Sequence, residues 1–169
     1  MPPFALALII VAAVALDQLV KFVVVATMTL GQAIEILPFL ALLHARNEGI
    51  AFSMFAGFEG WTLAILSTAV LLFVLWLWRS TPRSRTFAQV GFALIVGGAI
   101  GNLIDRVTLG YVVDYIYFHT PVWSFAVFNL ADAFISVGAG LVILDEFVLE
   151  TWRKRRVRAS RHETDADRP

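Results

Sequence analysis

The sequence predicts an all-α membrane protein with four transmembrane helices and a small extracytoplasmic β-rich cradle. Its composition gives the membrane class: 59% of the 169 residues are hydrophobic and only 15% are charged. Soluble domains average about 45–50% apolar and about 25% charged residues. A second observation is that four apolar stretches approach the roughly 20 residues that an α-helix needs to cross a bilayer. The third is an uneven distribution of arginine and lysine, which orients these stretches.

The four predicted spans cover, in chain order, Phe4–Val25, Trp61–Trp78, Phe87–Ile104 and Phe128–Val148. We expect one membrane domain over residues 1–152, with outer segments at 26–60 and 105–127. Residues 153–169 are expected to form a basic, disordered cytoplasmic tail. The length of the chain suits one compact unit.

Basic residues are concentrated in two places. The turn "RSTPRSR" between the second and third spans holds three arginines, and the segment "TWRKRRVRASR" after the fourth holds six basic residues. The other two connections offer only Arg46 and Arg106. Because cytoplasmic loops carry the excess of arginine and lysine, both termini and the middle turn are predicted to be cytoplasmic. The basic tail fits an anchor on anionic lipid better than a nucleic-acid site.

With this topology, the polar residues of the spans gather at one level near the outer membrane surface. They are Asp17 and Lys21 in the first span, Asn102 and Asp105 in the third, Asp132 in the fourth, and Asp114 in the outer connection. Ionisable groups at membrane depth are costly and usually face a bundle interior or a watery cavity. Their convergence therefore predicts a functional site.

Some of these residues have a structural explanation. Asp17 and Lys21 are spaced i, i+4 with the acid first, which favours a helical ion pair, with support of the site as the second possibility. Arg106 either marks the end of the third span or binds a carbonyl or lipid headgroup. Asp145 and Glu146, beside the basic tail, are expected to be charges at the membrane interface.

No metal or other cofactor is predicted. The chain has no cysteine, so disulfides, thiol nucleophiles and cysteine-ligated metals are excluded. Its three histidines, His44, His119 and His162, show no metal-ligand spacing, and there is no H-E-x-x-H helix.

Asp114 and Asp132 are harder to explain as structural residues. No basic residue lies between them, and neither has one at i±3 or i±4. If the outer connection folds against the fourth span, the two carboxylates meet and share one proton, since like charges at close range cannot both ionise easily. Such a pair supplies a base that activates water and an acid that serves the carbonyl and the leaving amine. Spacing alone does not establish this pair.

Five motifs give the chain a family resemblance. They are "DQLVK" at 17–21, "NEGIAF" at 47–52, "GGAIGNLIDR" at 97–106, "GYVVDY" at 110–115 and "FNLADAF" at 128–134. In this order, over roughly residues 5–150, they resemble the successive motifs of the lipoprotein signal peptidase (signal peptidase II) family.

The resemblance implies an intramembrane aspartyl endopeptidase of the bacterial inner membrane. Its substrates would be prolipoproteins, cleaved just before a cysteine that carries diacylglyceryl, and its active site would lie near the periplasmic face. The motifs imply Asp114 and Asp132 as the catalytic pair. They imply a supporting or substrate-binding set at Asp17, Lys21, Asn47, Asn102, Asp105, Arg106 and Asn129. Membrane lipid is the other expected partner, and we expect a monomer.

The outer segments are suited to hold an extended substrate strand. "VTLGYVVDYIYF" is rich in β-branched and aromatic residues, as strands are. "EILPFLALLHARNEGIAFSMF" has two apolar runs separated by the turn-like Asn47-Glu48-Gly49. These segments predict a small sheet that pairs with a peptide edge.

Small residues in two spans predict close helix packing. Gly97 and Gly101 form G-x-x-x-G, and Ser136 with Gly140 forms a similar pair. A groove for acyl chains or peptide is the alternative use of the glycines in the third span.

Two other classes of protein compete with the peptidase. Aspartates and a lysine within the spans also suit a proton relay in an ion-coupled transporter. However, the polar groups gather in one leaflet, and no internal repeat places a site at the midplane. A structural assembly factor, whose aspartates are neutralised by partners, is the third class.

Overall fold

The computed structural model describes residues 1–49 and 60–149. Its α-helices are α1 Pro3–Thr27, α2 Gly60–Ser80, α3 Thr86–Thr108 and α4 Leu130–Leu144. Its strands are β1 Ala33–Leu37, β2 Leu40–Asn47, β3 Val112–Thr120 and β4 Trp123–Ser124. A π-helical turn, Asp145–Leu149, follows α4. The second half of the "NEGIAF" motif and the predicted tail at 153–169 lie outside the described residues.

Three helices, α1, α2 and α3, are each long and apolar enough to cross a membrane. They expose large apolar side chains such as Phe4, Phe22 and Trp61, as expected where the solvent is hydrocarbon. The predictions of the first three spans are thereby confirmed as long apolar helices. The fourth predicted span is helical in two parts, the 15 residues of α4 and the π-helical turn that follows them, and its crossing of the membrane stays a prediction.

The central helix, α3, packs against α1 and α4 through glycines. Gly97 lies against Ala13 of α1, Gly98 against Ala131 of α4, and Gly91 against Gly138 of α4. Without side chains at these positions the helix backbones approach closely, as the G-x-x-x-G pattern predicts. The sequence assigned this contact in α4 to Ser136 and Gly140, but the glycine in contact is Gly138. No described atom lies within 4 Å of a Cβ built on Gly140.

An antiparallel sheet, in the order β1-β2-β3-β4, connects α1 to α4. The prediction of a small sheet is confirmed, and the hairpin turn between β1 and β2 is at Pro38-Phe39. Proline sets the backbone angle of a tight turn and has no N–H to contribute to a strand ladder. The chain also bends at the predicted turn Asn47–Gly49, where the N–H of Gly49 donates to Oδ1 of Asn47 at 2.9 Å, and the apolar run after it lies outside the described residues. The predicted third strand also begins later than expected, because α3 continues to Thr108.

The sheet rests on the end of α1. Val24 of this helix and Met28, just after its end, form a buried cluster with Val113 and Tyr115 of β3. The imidazole of His44 in β2 is also buried, and its Nδ1 lies 3.0 Å from the carbonyl oxygen of Met28. These contacts hold β3, and with it Asp114, in a fixed position above the helices.

The expectation that Asp145 and Glu146 lie at the membrane interface stays a prediction, but the structure shows that Asp145 is inside the protein. Its side chain is buried and forms an ion pair with Arg85, which also pairs with Glu146. The turn between α2 and α3 brings Arg85 beside the end of α4, so this arginine compensates the buried carboxylate. Only Glu146 is as exposed as predicted.

We expect Gly138→Ala to destabilise the protein and Gly140→Ala to leave its stability unchanged or raised. A Cβ on Gly138 would lie 2.5 Å from the carbonyl oxygen of Gly91, and overpacking of this kind costs about 1–3 kcal/mol. At Gly140 the methyl group enters open space, and alanine is the better helix former by up to about 1 kcal/mol. Thermal unfolding in detergent compares the two variants. Equal stability of both would contradict the packing of α3 on α4.

Candidate functional site

The two predicted catalytic aspartates lie on different elements that meet at one end of the bundle. Asp114 is in β3 and is only 2% exposed. Asp132 is the third residue of α4 and is partly buried. Both carboxylates hydrogen-bond to Asn129, the residue that caps this helix. The fold thus brings together two residues that are 18 positions apart in the sequence.

Asn129 joins the aspartates through its backbone and its side chain. Its Nδ2 donates to Oδ1 of Asp114 at 2.7 Å, and its Oδ1 accepts from the backbone N–H of Asp132 at 3.1 Å. The backbone N–H of Asn129 in turn donates to Oδ2 of Asp132 at 3.2 Å. This is a capping box, in which the side chains at the helix start satisfy each other's backbone N–H groups. Asp132 therefore has its orientation set by the start of α4.

Asn102 of α3 is the second amide in this network. Its Nδ2 donates to Oδ1 of Asp132 at 2.8 Å. Its Oδ1 accepts from Nδ2 of Asn129 at 3.1 Å and from Nζ of Lys21 at 2.9 Å. Each polar atom of this buried amide thus has a partner, as buried polar groups require.

The predicted ion pair of Asp17 and Lys21 belongs to a buried ionic cluster that also includes Asp105. Lys21 Nζ lies 2.8 Å from Oδ2 of Asp17 and 2.9 Å from Oδ2 of Asp105. Asp17 Oδ1 accepts the backbone N–H of Ala131 at 3.0 Å, and Asp105 Oδ2 accepts that of Val113 at 3.1 Å. One ammonium group therefore joins α1 to α3, and its two carboxylates hold α4 and β3.

Asn47 of β2 binds the other side of Asp114, with its Nδ2 2.9 Å from Oδ2 of the aspartate. The pairing between β2 and β3 is irregular just here. Leu42 pairs with Ile116 and Ala45 with Asp114, so three steps along β2 match two along β3. This is a β-bulge, a feature that is frequent beside active sites because it changes the direction of side chains.

Arg106 lies at the edge of the site. Its Nη1 is 3.4 Å from the carbonyl oxygen of Asn102, and its charge attracts Asp132 and Asp114. The guanidinium is partly exposed and forms no ion pair within 4 Å with the described residues. Of the two interpretations of Arg106 left open by the sequence, its place beside the aspartates favours a role at the site.

Burial raises the pKa of Asp114 to about 6. The negative charge of Asp132 acts in the same direction, while the hydrogen bonds from Asn47 and Asn129 act against it. Burial disfavours a charged carboxylate, whereas amide donors stabilise it. Asp114 is therefore a group that takes up a proton within the range of physiological pH.

Two residues of the site were not predicted individually. Tyr115 accepts the backbone N–H of Leu130 through its hydroxyl at 3.1 Å, and burial raises the pKa of this phenol to about 12. Gln18 donates to Oδ1 of Asp105 at 2.9 Å and to the carbonyl oxygen of Gly101 at 3.1 Å. Both belong to the quoted motifs, "GYVVDY" and "DQLVK", and that membership was the only signal for them.

Residues 1–49 and 60–149 contain no group of three or more histidine, cysteine, aspartate or glutamate side chains placed to hold a metal ion. Asp17 and Asp105, the nearest carboxylates to the candidate catalytic pair in the network, are occupied by Lys21. The site therefore consists of two aspartates held by asparagine side chains, next to the ionic cluster of Lys21, Asp17 and Asp105.

Comparison with known proteins gives consistent results. The family described as Signal peptidase (SPase) II matches residues 9–148. The chain is 52% identical over 156 residues to the lipoprotein signal peptidase of Sinorhizobium fredii, covering 92% of this chain and 93% of the relative. It is 56% identical over 149 residues to that of Brucella ovis, covering 88% and 92%.

Two solved structures, both described as bacterial membrane enzymes, are similar to this chain. Each is 31% identical in sequence. One has a TM-score of 0.76 and covers 86% of this chain and 94% of its own. The other has a TM-score of 0.78 and covers 90% and 92%. With the family match spanning most of the residues and all five motifs in order, the chain belongs to the signal peptidase II family.

Proposed function

We propose that this protein is an aspartyl endopeptidase that removes signal peptides from diacylglyceryl-modified prolipoproteins. It cleaves the bond just before the lipidated cysteine. The observation that carries the proposal is the bridging of Asp114 and Asp132 by Asn129. Relatives that are 52–56% identical are lipoprotein signal peptidases, which supports the substrate class.

The two carboxylates have different surroundings, which suits different roles. Burial raises the pKa of Asp114 to about 6, so this residue takes up a proton as the pH falls through that value. Asp132 accepts from Nδ2 of Asn102 and from the N–H of Asn129, donors that stabilise a charged carboxylate. In this assignment Asp114 is the general acid and Asp132 the general base.

Hydrolysis then needs one water and no cofactor. Asp132 takes a proton from the water as its oxygen attacks the scissile carbonyl carbon, while the acid of Asp114 hydrogen-bonds to the carbonyl oxygen. A proton next moves to the leaving nitrogen as the C–N bond breaks. The products are the carboxyl terminus of the signal peptide and the free amino group of the lipidated cysteine.

The other proposed residues support these two. Asn47, Asn102 and Asn129 hold the carboxylates in position, and the cluster of Asp17, Lys21 and Asp105 holds the elements that carry them. Arg106 is suited to bind a substrate carbonyl or a lipid headgroup. The hairpin β1-β2 has a fully exposed outer strand, which suits the pairing of an extended peptide.

We further propose four spans, with α4 as the last, in the inner membrane of a bacterium. Both termini are cytoplasmic, and the sheet and Asp114 are at the periplasmic face. The excess of arginine in the turn between α2 and α3 supports this orientation. A lipidated substrate would present its scissile bond at the level of the outer headgroups, and a single chain carries every residue of the proposed site.

We expect Asp114→Asn and Asp132→Asn each to reduce cleavage by at least about 1,000-fold, because acid–base catalysis alone contributes about 100- to 10,000-fold. The assay is release of the signal peptide from a purified diacylglyceryl-modified prolipoprotein. Glu146→Gln removes an exposed carboxylate at the opposite end of α4 from Asp132 and should retain full activity. Gel filtration and thermal unfolding establish that each variant is folded. Near-normal cleavage by either aspartate variant would refute the proposed pair.

We expect kcat/KM to fall as the pH rises through about 6, because Asp114 loses the proton that it needs as an acid. A bound substrate removes more water from the site, so the corresponding fall in kcat should occur at higher pH. The measurement is the pH profile of both constants. A kcat/KM that instead rises through pH 6 to a plateau would make Asp114 the base.

Asn47→Ala should shift the alkaline limb of the kcat/KM profile upward by about 0.7 pH unit, since a net hydrogen bond is worth about 1 kcal/mol. The lost amide donor favours the charged form of Asp114, so its removal raises the pKa of that aspartate further. Glu48→Gln, at the exposed neighbouring position, is the control and should leave the profile in place. An unchanged profile for Asn47→Ala would show that this residue does not influence the group that titrates.

A further inference from the structure

A cavity lies at the other end of the helix bundle from the aspartates. Its volume is about 610 Å³, within the roughly 300–1,000 Å³ typical of ligand pockets. It is enclosed by the beginning of α1, the end of α2 and Gln89 near the start of α3. Gln89 precedes Asn102 by 13 residues on the same helix, which is about 20 Å along its axis. No residue of the candidate catalytic site lines this cavity.

The cavity has an apolar interior and a cationic mouth. Leu6, Ile10 and Leu75, which are buried or partly buried, contribute the apolar walls, while Arg79 and Arg83 are exposed and form the mouth. Within the described parts of the chain, neither arginine forms an ion pair with a carboxylate. Arg85, only two residues further on, is by contrast paired with acidic residues of the α4 end. The charges at the mouth are therefore not compensated by this part of the protein.

The wall beside these arginines is held in place by buried hydrogen bonds. Gln89 is 4% exposed and accepts from Nε1 of Trp78 at 2.6 Å. Its Nε2 donates to the carbonyl oxygens of Thr81 and Pro82 at 3.2 and 3.3 Å. These hydrogen bonds thus join α3 both to the end of α2 and to the turn that follows it. A site that is formed before binding loses less entropy on binding its ligand.

We propose that this cavity is a binding site for an anionic phospholipid. One acyl chain lies along Leu6 and Ile10, and the headgroup phosphate is bound by Arg79 and Arg83. Arginine suits this role because its planar guanidinium binds phosphate oxygens in pairs. In the orientation proposed above, the mouth faces the cytoplasmic leaflet, which carries the anionic lipids. A basic peptide segment would be repelled by the same two charges.

The test is native mass spectrometry of the full chain in detergent, titrated with phosphatidylglycerol or with phosphatidylcholine of identical acyl chains. The wild-type protein should bind one phosphatidylglycerol with clear preference over phosphatidylcholine. The double variant Arg79→Gln, Arg83→Gln should bind phosphatidylglycerol about 30-fold more weakly, since each arginine near a lipid phosphate contributes roughly 1 kcal/mol. The control Arg46→Gln removes an exposed arginine from β2, which does not line the cavity, and should bind as the wild type does.

Two further measurements distinguish binding of the whole lipid from binding of its phosphate headgroup alone. Ala7→Phe fills the cavity without changing its charge, and should weaken phosphatidylglycerol binding as strongly as the double variant. Glycerol phosphate, which lacks acyl chains, should not compete. The proposal fails if the double variant binds as the wild type does, if the Arg46→Gln control loses binding equally, or if the two lipids bind equally well. Effective competition by glycerol phosphate would also overturn it.

Discussion

The ammonium group of Lys21, buried between the carboxylates of Asp17 and Asp105, is the interaction on which the arrangement of the site depends. Each carboxylate also accepts a backbone N–H, one from the start of α4 and one from β3. Breaking a buried ion pair by removing one partner typically costs about 3–5 kcal/mol, because the remaining charge is left without compensation. The cluster therefore links α4, which carries Asp132, to β3, which carries Asp114. Its net charge is minus one when all three groups are ionised, which suits the nearby Arg106.

Next to this ionic cluster, the two candidate catalytic carboxylates are held by amide side chains and not by cations. Amide side chains donate hydrogen bonds but carry no charge, so they orient a carboxylate without forcing it to stay ionised. That property lets Asp114 keep a pKa of about 6 although Asn47 and Asn129 both donate to it. A lysine at either position would favour a permanently charged aspartate and remove the acid. The separation of the charged cluster from the amide layer is thus consistent with the chemistry proposed for this family member.

The sequence predicted the three long apolar helices, a small sheet, the pairing of Asp17 with Lys21 and the convergence of polar residues, because each leaves a local pattern. Hydropathy marks the helices, and the i, i+4 spacing marks the ion pair. Contacts between distant segments leave no such pattern. The second partner of Lys21, the bridging by Asn129 and the burial of Asp145 against Arg85 all depend on how elements pack. The hairpin turn at Pro38-Phe39 was not predicted, and the contact of Gly138 was misassigned because a second pair of small residues lay nearby.

The β-bulge beside Asp114 has a consequence for how this region can change in evolution. Three steps along β2 from Leu42 match two along β3, so the stretch from Leu42 to Ala45 contains one additional residue. A deletion between Leu42 and Ala45 would remove this additional residue, so regular pairing with β3 would still bring Ala45 opposite Asp114 and leave Asn47 on its present face. A deletion of Arg46 has no additional residue to remove, and because side chains alternate between the faces of a strand it would turn Asn47 away from the aspartate. The length of β2 is thus constrained more strictly after the bulge, from Ala45 to Asn47, than within it.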